Sequence, residues 1–369
     1  MKIVISGYYG SKNAGDEAML DAMLEVLREL EPNIDVTVIS VNPEDTKKRH
    51  NVNAVKWLDI FSIVKKISGA DLLISGGGSL LQNVTSRRSL YYYLGIIFLA
   101  KMLGRPVMLY AQGIGPICGT FAKKWTHLII NRVNLITVRD HGSLEELSQL
   151  KITRPPVFCT ADPVLAINPV SIDVGRSILH QYDEDKFIDD EQTPLIGIAV
   201  RYWHGWQHCQ GELTKAIDLI AKKFNSRIIF LPMHYNEDIK AAQSIAEISN
   251  AECKIINGVH STKELLSLVG CMDVLIGIRL HALIFAGVMN VPMVGISYDP
   301  KIDRFLDSIG ESPVGNLSDV SAADIISAVE SKLNNKINQR DDSLLKQLHD
   351  KARQNAELAI SLIKRLAQH

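Results

Sequence analysis

Along most of the chain, short apolar runs alternate with longer stretches whose apolar residues recur every three or four positions. The runs KIVISGYYG (2–10), IDVTVIS (34–40), DLLISGGG (71–78), PVMLYAQGIG (106–115), LITVRD (135–140) and VFCTAD (157–162) read as strands. They are rich in β-branched and aliphatic residues and bounded by Gly, Asp or Pro, which suits strands buried on both faces of a parallel sheet. Amphipathic stretches at 16–30, 59–68, 89–104, 119–132 and 142–150 predict the helices between them. The alternation restarts with strands LIGIAV (195–200), RIIFLP (227–232), CKII (253–256), VLIGI (274–278) and PMVGIS (292–297). Helices are expected at 211–224, 236–249, 261–269, 280–289 and 300–309. Strand–helix alternation of this kind makes an α/β sheet with helices on both faces.

Between the two runs the texture changes. Residues 166–194 hold Pro169, Pro194 and two acidic clusters, 183–185 and 189–191, with room for a short helix at 174–181. The pattern therefore predicts a Rossmann-like domain over 1–165, an interdomain region over 166–194, and a second Rossmann-like domain over 195–335. A separate amphipathic helix is expected over 341–369. There Leu345, Leu348, Ala352, Ala356, Ala359, Ile363 and Leu366 step by three and four behind an N-cap at Asp342 or Ser343. The length of 369 residues agrees with two domains.

Charge and cysteine content narrow the function. Forty Lys and Arg against 41 Asp and Glu argue against a bulk nucleic-acid binder, so any basic site must be local. No apolar stretch is long enough to span a bilayer, and Met1-Lys2 runs straight into a strand pattern rather than a signal peptide. Five scattered cysteines without a CxxC spacing read as reduced thiols, so a cytoplasmic location is expected.

In open α/β sheets ligands bind beyond the carboxyl ends of the strands, so the residues found there carry the chemistry. In the first half they are Gly7, Gly10, Asn13, Gly15, Asp16 and Glu17, then Gly76-Gly77-Gly78, Gln112 to Pro116, and Arg139-Asp140. In the second half they are Arg201-Tyr202-Trp203, His234, His260, Arg279 and His281, and Tyr298 to Arg304. The first loop is no P-loop, because Asp16 and Glu17 stand where Lys and Ser/Thr would be. Asn13 and Asp16 suit hydroxyl groups, with Asp16 as a base, or simply cap the helix. The glycines at 76–78 allow close backbone approach to a ligand, or serve a tight strand-to-helix turn. Asp299-Pro300 reads as an N-cap followed by Pro at the first helical position, which aims Lys301, Arg304 and the helix N-terminus at one anion. The alternative there is a solvated basic face paired with Asp303 and Asp307. For Arg279 the alternative is a buried ion pair, and for His281 a hydrogen-bonded core histidine. His204 and His208 lack a third ligand, so no metal is expected. The apolar segment 90–100 is read as a sheet-flanking helix, or as a subunit or membrane-surface contact with Arg87, Arg88 and Lys101.

The motifs GYYGSKNAGDEAML, DLLISGGGSLLQ, YAQGIGP, TVRD, ADP, GIRLHALIFAG and SYDPKIDRF occur in this order over about the first 305 residues. With them the chain resembles the polysaccharide pyruvyltransferases, most of all the bacterial CsaB-type enzymes that pyruvylate a secondary cell-wall polymer. The resemblance implies a GT-B-like fold, two Rossmann-type domains facing across a cleft. It implies phosphoenolpyruvate as donor and a ketal-pyruvylated sugar as product. The implied acceptor is β-N-acetylmannosamine on a lipid-linked oligosaccharide precursor, which would bring the protein to the inner face of the plasma membrane. The matching residues are Arg139, Arg279, Lys301 and Arg304 for the donor and His281 as acid. Asp16 is the expected base, with Asn13, Asp16, Gly77 and Gly78 on the acceptor side. The scheme needs no metal or organic cofactor. Two other readings remain at this point, a GT-B nucleotide-sugar glycosyltransferase and a non-catalytic phospho-ligand-binding protein. The first would want a ribose-binding carboxylate after a strand in the second half, a role for which Glu264 and Asp273 are poorly placed.

Overall fold

The computed structural model describes residues 1–84, 86–182, 193–334 and 343–368. The acidic clusters at 183–185 and 189–191, and the candidate cap Asp342, lie outside the described residues. The chain forms two compact units, one of Met1–Ile167 with Lys346–His369 and one of Asn168–Leu345.

The first unit is built on eight parallel strands: β1 Lys2–Tyr9, β2 Asp35–Ser40, β3 Asn53–Lys56, β4 Leu72–Ser75, β5 Gly78–Leu81, β6 Val107–Ile114, β7 Leu135–Val138 and β8 Val157–Cys159. Their order is β3-β2-β1-β4-β6-β7-β8, with β5 paired on β6. The run 71–78, expected as one strand, is two elements: β4 stops at Ser75 and β5 starts at Gly78, where φ is +94°. Two further elements escaped the hydrophobic pattern. The helix Pro43–His50 (PEDTKKRH) has almost no apolar residues. It is marked only by its ends, the Asn42 cap with Pro43 and the left-handed Asn51. Strand β3 is too short to show a period.

The second unit holds five parallel strands, β9 Leu195–Ala199, β10 Arg227–Phe230, β11 Cys253–Ile255, β12 Val274–Gly277 and β13 Met293–Gly295, in the order β11-β10-β9-β12-β13. In both sheets the strand order reverses beside the first strand, at β1/β4 and at β9/β12. That reversal opens a crevice at the carboxyl edge. The helix Ala322–Asn334 packs on Trp206–Phe224 and was not foreseen.

Two boundaries differ from the pattern's expectation. The short helix Asp173–Gln181, expected in a connecting region, belongs to the second unit. The Gly175 N–H donates to Ser267 Oγ at 2.6 Å, and a Cβ on Gly175 would lie 2.4 Å from the Ser267 carbonyl oxygen. The tail helix Ser343–Leu366 is not a separate part, because from Lys346 onward it belongs to the first unit. The middle of its apolar stripe, Ala352, Ala356, Ala359 and Ile363, is buried there, while Leu366 at its end is exposed. Asn355, fully buried in that stripe, donates to the Ala161 carbonyl (3.2 Å) and accepts from Thr160 Oγ1 (2.8 Å), while Arg353 pairs with Glu29 at 2.7 Å.

Candidate active site

In the first unit the carboxyl edge is organised by packing around Tyr9, the last residue of β1. Its ring fills the space beside Gly7 and Gly76, and a Cβ on Gly76 would sit 2.1 Å from the Tyr9 hydroxyl oxygen. Burial, followed by the charge of Asp16, pushes that hydroxyl well above its ordinary range and keeps it protonated. Gly77 leaves room for the Met19 thioether (3.0 Å from a built Cβ) and the Pro163 ring (3.3 Å). Gly77 and Gly78, expected on the acceptor side, are both buried, and packing alone accounts for Gly76 and Gly77.

The helix Ala14–Leu30 begins beside them. Asn13 uses its side-chain oxygen as the cap, accepting from the Gly15 N–H at 3.1 Å. Asp16 is half-buried, and its Oδ1 lies 3.5 Å from the position a Gly78 Cβ would take. Glu17 points inward: Oε1 accepts the Gly10 N–H (2.8 Å) and Oε2 meets His50 Nε2 (2.8 Å), whose Nδ1 meets Asp21 (2.6 Å). The sequence gives no sign of this triad, since His50 is 33 residues from Glu17.

Arg139 leaves β7 at the same edge. Its Nη1 donates to Asp162 at 2.8 Å and its Nη2 to Ser79 at 3.2 Å, and Gly113 lacks the Cβ that would crowd the guanidinium. Asp16, Gly78, Ser79 and Arg139 therefore gather along the start of β5. Asp162, within the ADP motif, is the partner the sequence reading did not assign.

In the second unit Arg201, which follows β9, is held between two rings. Its guanidinium carbon lies 4.7 Å from the centroids of both Trp203 and Tyr298, and it donates to the Tyr298 hydroxyl. Arg279 follows β12 and caps the helix Leu280–Val288. It makes a forked pair with Asp238, with one arm at 2.9 Å. Asp238 is fully buried and also accepts the backbone N–H groups of Met233 (3.1 Å) and His234 (2.8 Å). Burial, followed by the nearby charge of Arg279, lowers the affinity of Arg201 for its proton. Lys301 lies 3.1 Å from Asp299, the cap of the helix Pro300–Ser308, and 5.3 Å from the Tyr298 centroid. His281 is half-buried in the first turn after Arg279, and Arg304 is exposed one turn beyond Pro300.

The structure thus brings Arg279 and Lys301 together around Arg201 and Tyr298, two residues the sequence placed at strand ends without assigning them a role. Arg139, Arg279 and Lys301 each carry a carboxylate partner, whereas Arg201 makes no ion pair among the described residues. The expected alternative for Arg279, a buried ion pair, is what the structure contains. His208 bonds the Val320 carbonyl (2.9 Å), and among the described residues no three His, Cys, Asp or Glu side chains gather as a metal set. None of the five cysteines forms a disulfide among the described residues. Glu264 completes the capping box of Ser261, and Asp273 accepts the Leu195 N–H at 2.6 Å, so both serve the fold.

The model of the family described as polysaccharide pyruvyl transferase matches residues 13–300, from the Asn13 cap to the residue before Lys301. The chain belongs to that family. As a polysaccharide pyruvyltransferase it is similar to the amylovoran biosynthesis protein AmsJ of Erwinia amylovora, 22% identical over 91% of this chain and 92% of that protein. Solved structures like this pyruvyltransferase include the UDP-GlcNAc 2-epimerase of Neisseria meningitidis bound to UDP-GlcNAc. It has a TM-score of 0.65 at 12% identity, over 98% of this chain and all of that one. A glycosyltransferase from Rickettsia africae has a TM-score of 0.61 at 14% identity, over all of this chain and 99% of that one. At these identities the likeness shows the fold alone, two Rossmann-type units of GT-B-like kind.

Proposed function

We propose that this pyruvyltransferase takes phosphoenolpyruvate as donor and closes a pyruvate ketal on two hydroxyls of a sugar, β-N-acetylmannosamine, in a lipid-linked cell-wall precursor. The observation that carries the donor assignment is the cluster of Arg201, Arg279 and Lys301 with Tyr298 at the carboxyl edge of the second sheet. Phosphoenolpyruvate presents a carboxylate and a phosphate of about −1.5 to −2 charge, by analogy with phosphomonoesters. Planar guanidinium forks suit both groups, Arg304 adds another one turn into the helix Pro300–Ser308, and Lys301 adds a point charge at that helix's N-terminus. The aromatic bracket fixes the plane of Arg201 before the donor arrives, so less freedom is lost on binding. The sugar and its lipid linkage rest on the resemblance of the motifs alone.

In the proposed reaction His281 protonates the methylene carbon of the donor. The adjacent carbon gains oxocarbenium character and is attacked by a sugar hydroxyl, whose proton passes to a base. The carbon–oxygen bond to phosphate then breaks, and a second hydroxyl closes the ketal as its proton leaves with the inorganic phosphate. Asp16 is the proposed base. Of the acceptor-side residues it is the one with a half-buried carboxylate, Asn13 having spent its oxygen on the cap. The scheme requires no metal or organic cofactor.

Phosphate release from phosphoenolpyruvate, measured with a panel of lipid-linked and simple glycoside acceptors, tests the reading. Wild type should release phosphate only when acceptor is present, and His281→Ala should cut turnover by about 10²–10⁴-fold while still binding donor. Near-wild-type turnover in that variant would remove the histidine from the mechanism. No phosphate release with any acceptor of the panel, paired with tight binding of a nucleotide sugar, would overturn the donor assignment.

A further inference from the structure

One face of the first unit carries exposed apolar side chains that the reaction does not use. The helix Arg87–Met102 buries Leu90, Tyr93, Leu94 and Ile97 and turns Tyr91, Phe98 and Met102 outward. The helix Thr120–Ile130 beside it buries Ala122, Thr126 and Ile129 and turns Phe121, Trp125 and Leu128 outward. The two rows are continuous, because the Tyr91 and Phe121 rings stand 6.2 Å apart and Phe121 and Trp125 5.9 Å apart. The neighbouring helix Ile60–Ser68 leaves Phe61 80% exposed. A monomeric soluble protein does not ordinarily leave so many large apolar groups together in water.

The charges on the same elements say what covers them. These three helices expose Lys65, Lys66, Arg87, Arg88, Lys123 and Lys124 and carry no Asp or Glu, in a chain whose 40 Lys and Arg are matched overall by 41 Asp and Glu. Lysine is depleted at the apolar centre of protein–protein interfaces, where aromatic residues are enriched. Aromatic side chains set among cations instead match the boundary of a bilayer, with rings at the headgroup level and Lys and Arg facing anionic lipid. No helix among the described residues is long and apolar enough to cross a membrane, so the contact is peripheral. We infer that this face docks the protein on an anionic lipid bilayer. The inference is independent of the donor and the sugar, and its test uses no substrate, so its failure leaves the reaction assay untouched.

Co-flotation of the full chain with phosphatidylcholine vesicles, with and without phosphatidylglycerol, reads the contact. Wild type should partition onto the anionic vesicles, and less so as salt rises. Each cation near such a surface is worth about fivefold, so the double variant Lys123→Ala, Lys124→Ala should bind roughly 30-fold more weakly. Phe98→Ser with Phe121→Ser should weaken binding further. Brominated lipid should quench wild-type fluorescence by an increment that Trp125→Phe abolishes. Equal partitioning of wild type and the lysine variant, or no Trp125-dependent quenching on bound vesicles, would overturn the inference. So would self-association that Phe98→Ser, Phe121→Ser abolishes in a protein that ignores vesicles.

Discussion

The buried His50 makes the stability of the first unit depend on alkaline pH. Its ring is fully enclosed at the end of the helix Pro43–His50, between Glu17 and Asp21. Burial alone would lower the imidazole's affinity for its proton. The hydrogen bonds to Asp21 and Glu17 and the charges of both carboxylates outweigh it, raising the value from 6.5 to about 9. Because the folded value lies above the unfolded one, the contribution is complete below about pH 6.5. It declines with rising pH and is gone above about pH 9. At ~1.4 kcal/mol per pH unit this interval corresponds to about 3 kcal/mol. Exchanging His50→Gln removes the cation and leaves two carboxylates facing a neutral amide, a loss of comparable size at neutral pH. Hydrogen exchange of peptides from Ala14–Leu30, compared between wild type and variant at each pH, cancels the intrinsic pH dependence of exchange. The protection difference should be large at pH 6.5 and shrink toward zero by pH 9.5. A difference that stays constant or grows over that range would show that His50 is not held as a cation, and the triad would reduce to neutral hydrogen bonds.

Three further outcomes follow from the same packing and pairing. Gly76→Ala places a methyl 2.1 Å from the Tyr9 hydroxyl oxygen and should cost about 1–3 kcal/mol or more in urea unfolding; Tyr9→Phe should recover much of this, since the nearest remaining ring atom is 3.1 Å away. Loss of stability in the glycine variant that Tyr9→Phe leaves unchanged would place the strain elsewhere. Arg279→Ala should destabilise the second unit by about 3–5 kcal/mol because it strands the fully buried Asp238. Arg201→Ala should instead weaken phosphoenolpyruvate binding about 10–100-fold by calorimetry with a smaller loss of stability. Unchanged donor affinity in Arg201→Ala would exclude that guanidinium from the site.

Hydrophobic periodicity is a local signal, and it was enough to place eleven of the strands and to show that glycines, arginines and histidines collect at strand ends. It also exposed the stripe of the tail helix from Leu345 to Leu366. It was silent on Pro43–His50, where capping rather than an apolar face makes the helix, and on β5, whose glycine start looked like the end of β4. Only the tertiary structure decided which charges are spent. Arg279 meets Asp238 across 41 residues and Arg139 meets Asp162 across 23, while Tyr298 comes from 97 residues away to bracket Arg201. Such pairs leave no trace in a short window, because strand order rather than sequence distance brings them together. The glycine at 76 was legible as a point of close approach, but the approaching group proved to be the ring of Tyr9, which also fills the space beside Gly7. The sequence by itself determined where each sheet would present its chemistry. Folding determined which cations there meet a ligand with a carboxylate already beside them, as Arg279 does, and which without one among the described residues, as Arg201 does, because those partners come from distant parts of the chain.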